Sequence, residues 1–200
     1  MSLEKTIDVA FKSVAEQNRR DAFITTQSGR AFRPFDPKPA DIDLGDIAHA
    51  LANKCRWNGH TNRFFSVAQH SVLVARYTIA PADRLWGLLH DAGEAYLPDV
   101  PSPIKRFCPE LIEAENRILE AVAAAFDLPP MMPATVHHSD MVVRSAEARD
   151  LMGLDVTLPP WNEFPPFGDG IVALPPDAAE RLFFYAFYKL SKGTDSQCWY

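Results

Sequence analysis

Apolar side chains recur at three- and four-residue steps through most of the chain, the spacing of helices that bury one face. The step is first visible at Leu3, Ile7, Ala10, Phe11 and Val14 and predicts a short amphipathic helix over residues 3–17. It then gives way to Phe23-Ile24-Thr25-Thr26 and Arg30-Ala31-Phe32-Arg33-Pro34, set on either side of Ser28-Gly29. β-Prone residues flanking a turn dipeptide predict a small hairpin, which Asp36-Pro37-Lys38-Pro39 closes. Helical periodicity resumes near Asp46 with Ile47, Ala50, Leu51 and Lys54. It continues in helices predicted over residues 66–79, 82–96, 109–126, 134–152 and 177–191.

Proline placement supports this map. The 17 prolines leave residues 40–80 and 134–158 clear, and an interior proline costs a helix about 3 kcal/mol. Pro81, Pro109, Pro133 and Pro176 stand at or just before predicted helix starts, where the missing N–H is no loss. Residues 159–176 are rich in proline and glycine but also hold Trp161, Phe164 and Phe167, which predicts an ordered loop held by its aromatics. The expectation is one mainly α domain over residues 1–200, with six or seven helices and a small N-terminal β-hairpin. Residues 1–45 hold the first helix and the hairpin, and residues 46–200 the helical core.

Composition narrows the partners. Against 20 basic side chains stand 26 acidic ones, a net charge of −6, and 47% of residues are hydrophobic. A chain of this length buries roughly 70% of its unfolded surface in a single core. The acidity argues against a nucleic-acid polymer as partner, because such proteins need basic surface to displace counterions from phosphates. No apolar run approaches the ~20 residues that span a bilayer, and Met1-Ser2-Leu3-Glu4-Lys5 lacks the apolar core of a signal peptide. No membrane association and a cytoplasmic location are expected. Cys55, Cys108 and Cys198 lie far apart, giving neither a disulfide framework nor a zinc ribbon.

The chemistry-bearing residues are His70, the pair His90-Asp91, and Asp140, each inside a predicted helix. Imidazoles with carboxylates form the ligand set of borderline divalent metals. A His-Asp dipeptide is expected by chance about 0.5 times in a chain of this composition, so its surroundings matter more than the pair. Val67 and Val74 lie three before and four after His70, and Leu85, Trp86, Leu88 and Leu89 precede His90, so both histidines point inward. Taken singly, each reads as well as a satisfied core histidine. Two of them with an adjacent aspartate are harder to bury without a cation. Glu94, four after His90 and three after Asp91, emerges one turn later on the same predicted face and reads as a surface carboxylate or a general acid/base.

This pattern resembles the HD-domain metal-dependent phosphohydrolases, in which a histidine, a distant His-Asp pair and a later aspartate on a helical bundle hold one metal. It maps here to His70, His90-Asp91 and Asp140, the last within Ser139-Asp140-Met141-Val142-Val143-Arg144-Ser145-Ala146-Glu147. Arg56-Trp57, Gln69-His70-Ser71, His90-Asp91-Ala92-Gly93-Glu94 and Asp99-Val100-Pro101-Ser102-Pro103-Ile104-Lys105 look like the bacterial 5′-deoxynucleotidase branch at comparable spacings. The likeness spans roughly residues 56–147. Gln69 stands where that branch has glutamate, and Gly93 where it has serine.

The resemblance implies an HD-type bundle and one divalent transition metal, manganese, cobalt, iron, nickel or zinc, held by His70, His90, Asp91 and Asp140. It implies Glu94 and Asp91 as catalytic residues, and Arg56, Trp57, Asp99 and Lys105 as contacts to a (deoxy)nucleoside 5′-monophosphate hydrolysed by a metal-activated water. Relatives with the same ligands act on guanosine alarmones or deoxynucleoside triphosphates, and a nucleotide sensor without turnover is a third possibility. On their own, Arg56 reads equally as a helix-end charge, Trp57 as core, Asp99 as a turn residue and Lys105 as solvated. His49 reads as core or substrate-side, His60 as a loop residue near phosphate, and His137 as sharing a face with Asp140. The aromatics of residues 183–188 suit a homodimer interface or a buried helix.

Overall fold

A computed structural model describes residues 16–193. After helical residues 16–21, strands β1 (Ile24–Thr25) and β2 (Ala31–Phe32) pair antiparallel, Ile24 opposite Phe32 and Thr25 opposite Ala31. Helices α1 (Leu44–Asn53), α2 (Val67–Tyr77), α3 (Arg84–Leu89) and α4 (Ser102–Lys105) follow. The chain then forms α5 (Pro109–Ala125), α6 (Ala134–Met152) and α7 (Pro176–Ser191). The fold is mainly helical with a small hairpin, as the periodicity predicts. The helix expected over residues 3–17 lies almost wholly outside the described residues.

The ends of these helices follow local chemistry. Asp43 caps α1 by accepting from Gly45 N and Asp46 N, and Ser66 caps α2 by accepting from Gln69 N. Side-chain oxygens thus satisfy N–H groups that have no partner within the helix. Pro109 and Pro176 open α5 and α7. Gly153 ends α6 with φ +67, a conformation that glycine adopts without a Cβ clash.

α2 is the centre. Every residue from Val67 to Ala75 is buried, and α1, α3, α6 and α7 pack around it. One core, with Ile47, Leu51, Val72, Leu88, Ile118 and Phe183, lies on the side of α1 and α7. A second, with Leu73, Val74, Trp86, Val136, Val143 and Leu151, lies on the side of α6. α3 crosses α2 at Gly87, where a Cβ would meet Thr78 Oγ1 at 2.9 Å and Ala75 Cα at 3.0 Å. Any larger residue would push the two helices apart.

The hairpin docks on the first core. Phe32 is buried and stacks on Tyr96 with centroids 3.7 Å apart, while Ser28 donates from N and Oγ to the Asp46 carboxylate at 2.7 and 2.8 Å. α7 splits its aromatics: Phe183 is fully buried, whereas Phe184, Tyr185 and Tyr188 are exposed. Among the described residues no helix is long and apolar enough to cross a membrane.

One expected helix is broken. Residues 82–96 form not one helix but α3, ending at Leu89, and a 3-10 turn over Ala92–Ala95. Asp91, at φ −98 and ψ 13, carries the change of direction. On a continuous helix, adjacent side chains point about 100° apart. The turn instead lets His90 and Asp91 converge. Lys54 supports it by donating from Nζ to the carbonyl oxygens of Glu94 and Leu97.

Candidate metal centre

Three elements meet at one point: α2 brings His70, the break after α3 brings His90 and Asp91, and α6 brings Asp140. Among the described residues, His70, His90 and Asp91 each offer a ligand atom within 4.8 Å of one another and could hold a metal ion. The two histidine Nε2 atoms are 3.3 Å apart, and Asp91 Oδ2 lies 3.6 Å from His70 Nε2 and 3.2 Å from His90 Nε2. Asp140 joins through His70, its Oδ1 3.1 Å from Nε2.

The outer nitrogens decide what the inner ones offer. His90 Nδ1 faces Gly87 O at 2.8 Å; a carbonyl only accepts, so Nδ1 carries the hydrogen. His70 Nδ1 donates to Glu147 Oε1 at 2.6 Å. In their neutral forms both rings therefore aim Nε2 lone pairs at the same space as two carboxylates. Acceptors this close need a positive charge between them, and rings anchored by a carboxylate and a carbonyl are the usual surroundings of metal-bound histidine. The donor set fits a divalent cation.

The electrostatics agree. Burial and Arg56 oppose a proton on His70, but Glu147 and the bonds to Asp140 and Glu147 outweigh them and lift it to about 9. Burial acts against the Asp91 carboxylate, yet His90, His70 and Arg56 hold it far below the usual range. Asp140 is lowered to about 2 against its own burial, through the hydrogen bond and charge of His70. The cluster draws in a proton when no larger cation is supplied.

Glu147 was the residue whose part sequence reasoning missed. It is fully buried and accepts from His70 Nδ1, from Trp57 Nε1 at 2.7 Å and from Arg56 at 3.3 Å. Burial raises its pKa, but Arg56 and His70 outweigh this and keep it lowered. The available signal was its position seven residues after Asp140, two turns on along the same face. Trp57 reaches it from a strained backbone, φ +56, followed by Asn58 at φ +52. Bulky residues seldom adopt that region.

The remaining sequence candidates separate into two groups. Arg56 bridges Asp91, at 3.5 Å, and Glu147. Lys105 bonds Glu115 at 2.7 Å and stands 3.9 Å from Glu94 Oε1. Glu94 lies on the 3-10 turn rather than on a helix face, is 4% exposed, and leaves Oε2 without a partner. Burial, then Asp91 and Asp99, raise it to about 9. Asp99 is also raised, first by burial, against the pull of Arg56. The other histidines lie elsewhere: His49 pairs with Glu180 at 3.2 Å, and His60 and His137 are exposed. At His70, the outer nitrogen is held by Glu147.

Over 174 residues, 86% of this chain and 97% of the relative, the sequence is 36% identical to YfdR, an uncharacterized protein of Escherichia coli (strain K12). The chain belongs to the YfdR family. An uncharacterized protein of Rhodobacter capsulatus is 39% identical over 139 residues, covering 63% of this chain and 71% of that protein. No family model matches the sequence.

In this YfdR-family chain the loop of residues 159–176 closes over α6 and the end of α2. Trp161, on a 3-10 turn, leans against Trp57 with centroids 5.6 Å apart, and Phe167 stacks on Tyr77 at 4.0 Å. Gln69, beside His70 in sequence, donates to Val172 O and accepts from Leu174 N, both at 2.8 Å. It ties this loop to the helix that bears His70.

Proposed function

We propose that this protein is a metal-dependent phosphohydrolase, acting as a phosphomonoesterase on (deoxy)nucleoside 5′-monophosphates. One observation carries the reading: four acceptor atoms converge beside Glu94, a buried carboxyl raised to about 9 with an unpartnered oxygen. A site for binding alone has no use for a protonated acid at that position. His70, His90, Asp91 and Asp140 would hold the metal, a transition ion such as manganese, cobalt, iron, nickel or zinc, because imidazole with carboxylate suits these better than magnesium. When bound, such an ion polarises a phosphoryl oxygen and lowers the pKa of a water.

The chain's own residues supply the rest. Glu147 and Gly87 O hold the Nδ1 hydrogens of His70 and His90, which turns Nε2 of each ring toward the shared space. Glu94 would take a proton from the attacking water or return one to the leaving alkoxide. Lys105 limits how far that carboxyl is raised. Net charge −6 disfavours an anionic substrate at long range, so local cations must admit it.

The test is phosphate release from deoxynucleoside monophosphates with manganese, cobalt or zinc added, and chromatographic identification of the product. Release of phosphate that vanishes with chelator and in Asp91→Ala is expected. Equal turnover in chelator-treated protein sinks the reading, and pyrophosphate or triphosphate as product moves the substrate to a polyphosphorylated nucleotide.

A further inference from the structure

The two faces of α7 differ in kind. Ala179, Phe183 and Ala186 are buried where the helix packs on α1, α2 and α3. The outer face carries Asp177, Arg181, Phe184, Tyr185 and Tyr188, with Lys192 just past the helix end. These positions recur at steps of three and four, so they form one stripe along the helix. Phe184, Tyr185 and Tyr188 are 37%, 43% and 54% exposed. Single exposed apolar residues are ordinary on a protein surface, but three neighbouring aromatics on one helix face mark a contact surface. Tyrosine in particular is enriched where proteins meet.

Charge along the stripe indicates what it meets. Asp177 lies in the first turn of α7, Lys189 in the last, and Lys192 follows. A helix favours this order for its own dipole, and the same order makes the stripe complementary to its own reversed copy. Two identical helices related by a two-fold axis run either parallel or antiparallel. Parallel packing sets Asp177 against Asp177 and Lys192 against Lys192, and like charges brought together are unfavourable. Antiparallel packing about an axis between Phe184 and Tyr185 sets Asp177 against the partner's Lys192, Arg181 against the partner's Tyr188, and Phe184 against the partner's Tyr185. Each meeting is then attractive: an ion pair, a cation over a ring and an aromatic pair. Lys192 already lies over the Tyr188 ring at 4.5 Å and Lys189 over Tyr185 at 5.4 Å, yet both rings remain exposed.

We propose that α7 is the interface of a homodimer, packed antiparallel on α7 of a second copy of this chain. The proposal is independent of the phosphohydrolase reading, because the face it uses is turned away from α2 and the His–Asp cluster. The 16-residue helix is ~24 Å long and about 10–12 Å wide, which gives a contact well below the ~800 Å² per partner of a standard interface. The dimer is therefore weak, with a dissociation constant on the order of 1–100 μM. Arg181, which pairs with Asp177 at 3.0 Å within one chain, passes to an aromatic ring when the partner's Lys192 takes its place.

Sedimentation velocity on the full-length protein from about 1 to 200 μM tests this. Monomer at the dilute end and dimer at the concentrated end are expected. Phe184→Glu and Tyr188→Glu should each weaken the dimer by at least roughly 10-fold, while the dilute monomer melts near the wild-type temperature because both side chains are exposed. Tyr188→Ser gives the same reading should a glutamate variant melt early. Asp177→Lys and Lys192→Asp should each weaken the dimer roughly 3- to 10-fold. The double variant, which reverses the pair, should return to within about three-fold of wild type. That recovery is specific to the antiparallel register, since parallel pairing never brings the two positions together. Wild-type protein that stays monomeric at every concentration, a dimer untouched by either glutamate, or a double variant no tighter than the single ones overturns the proposal.

Discussion

The two flanks of the His–Asp cluster each bury one glutamate, and the two are in opposite states. On the α6 flank Glu147 is fully enclosed and meets three donors, from His70, Trp57 and Arg56. On the flank of the 3-10 turn Glu94 is almost as enclosed, faces Asp91 and Asp99, and leaves one oxygen unmet. Burial opposes ionisation in both, so neighbours decide the outcome: Glu147 is lowered and charged, and Glu94 is raised to about 9 and protonated. Where two like groups are pushed apart in this way, one is suited to hold and the other to transfer a proton.

The largest expected effect separates these roles. Glu94→Gln should slow phosphate release roughly 10²- to 10⁴-fold while manganese affinity, measured by calorimetry, stays near wild type. Loss of metal binding instead would show that Glu94 belongs to the holding flank. Glu147→Gln should do the reverse and weaken manganese roughly 10- to 100-fold, because His70 loses the carboxylate that fixes its ring. Glu147→Ala should also cost roughly 3–5 kcal/mol in urea unfolding, since Arg56 keeps a buried charge with one partner gone.

Stability against pH sharpens the contrast. The unfolded chain ionises Glu94 near 4.5 and the folded chain only near 9, so between these values the folded state binds the additional proton. Glu94 therefore subtracts stability progressively as pH rises through that window. Metal-stripped Glu94→Gln should melt above wild type at pH 8, by on the order of 1–3 kcal/mol, and match it near pH 4. Glu147 is lowered, so its contribution is present above about 4.5 and fades as pH falls through its folded value. Equal pH profiles for the two variants would erase the distinction. The smallest effect concerns Lys105, which pulls Glu94 down. Lys105→Met should move the alkaline limb of the rate profile upward, with a roughly two- to five-fold change in rate at neutral pH.

These flanks were not equally legible in the sequence. His70 and His90 stood out because they interrupt apolar helical stripes, Asp91 by its place beside His90 and Asp140 by the family likeness, and the structure does bring the four together. Glu94 was found by its spacing, although the helix that justified the spacing is broken after Leu89. Nothing in Leu88-Leu89-His90-Asp91-Ala92 signals a break, because it is stabilised from outside, by Lys54 on the carbonyls of Glu94 and Leu97. Glu147 escaped for a similar reason: its partners Arg56 and Trp57 lie 91 and 90 residues earlier. Local periodicity reports helices and their inward faces; it is silent on contacts that tertiary packing alone creates.

The bonds from Gln69 to Val172 and Leu174 span 103 and 105 residues. They set an order of assembly as well as a geometry. During synthesis at ~5–20 residues per second, the segment that Gln69 must grasp leaves the ribosome roughly 5–20 s after Gln69 itself. His70, and 20 residues later His90 followed by Asp91, leave the ribosome before Asp140, Glu147 and the loop of residues 159–176. The residues that could hold a metal ion are thus all in the chain before the segment that ties down the helix bearing His70.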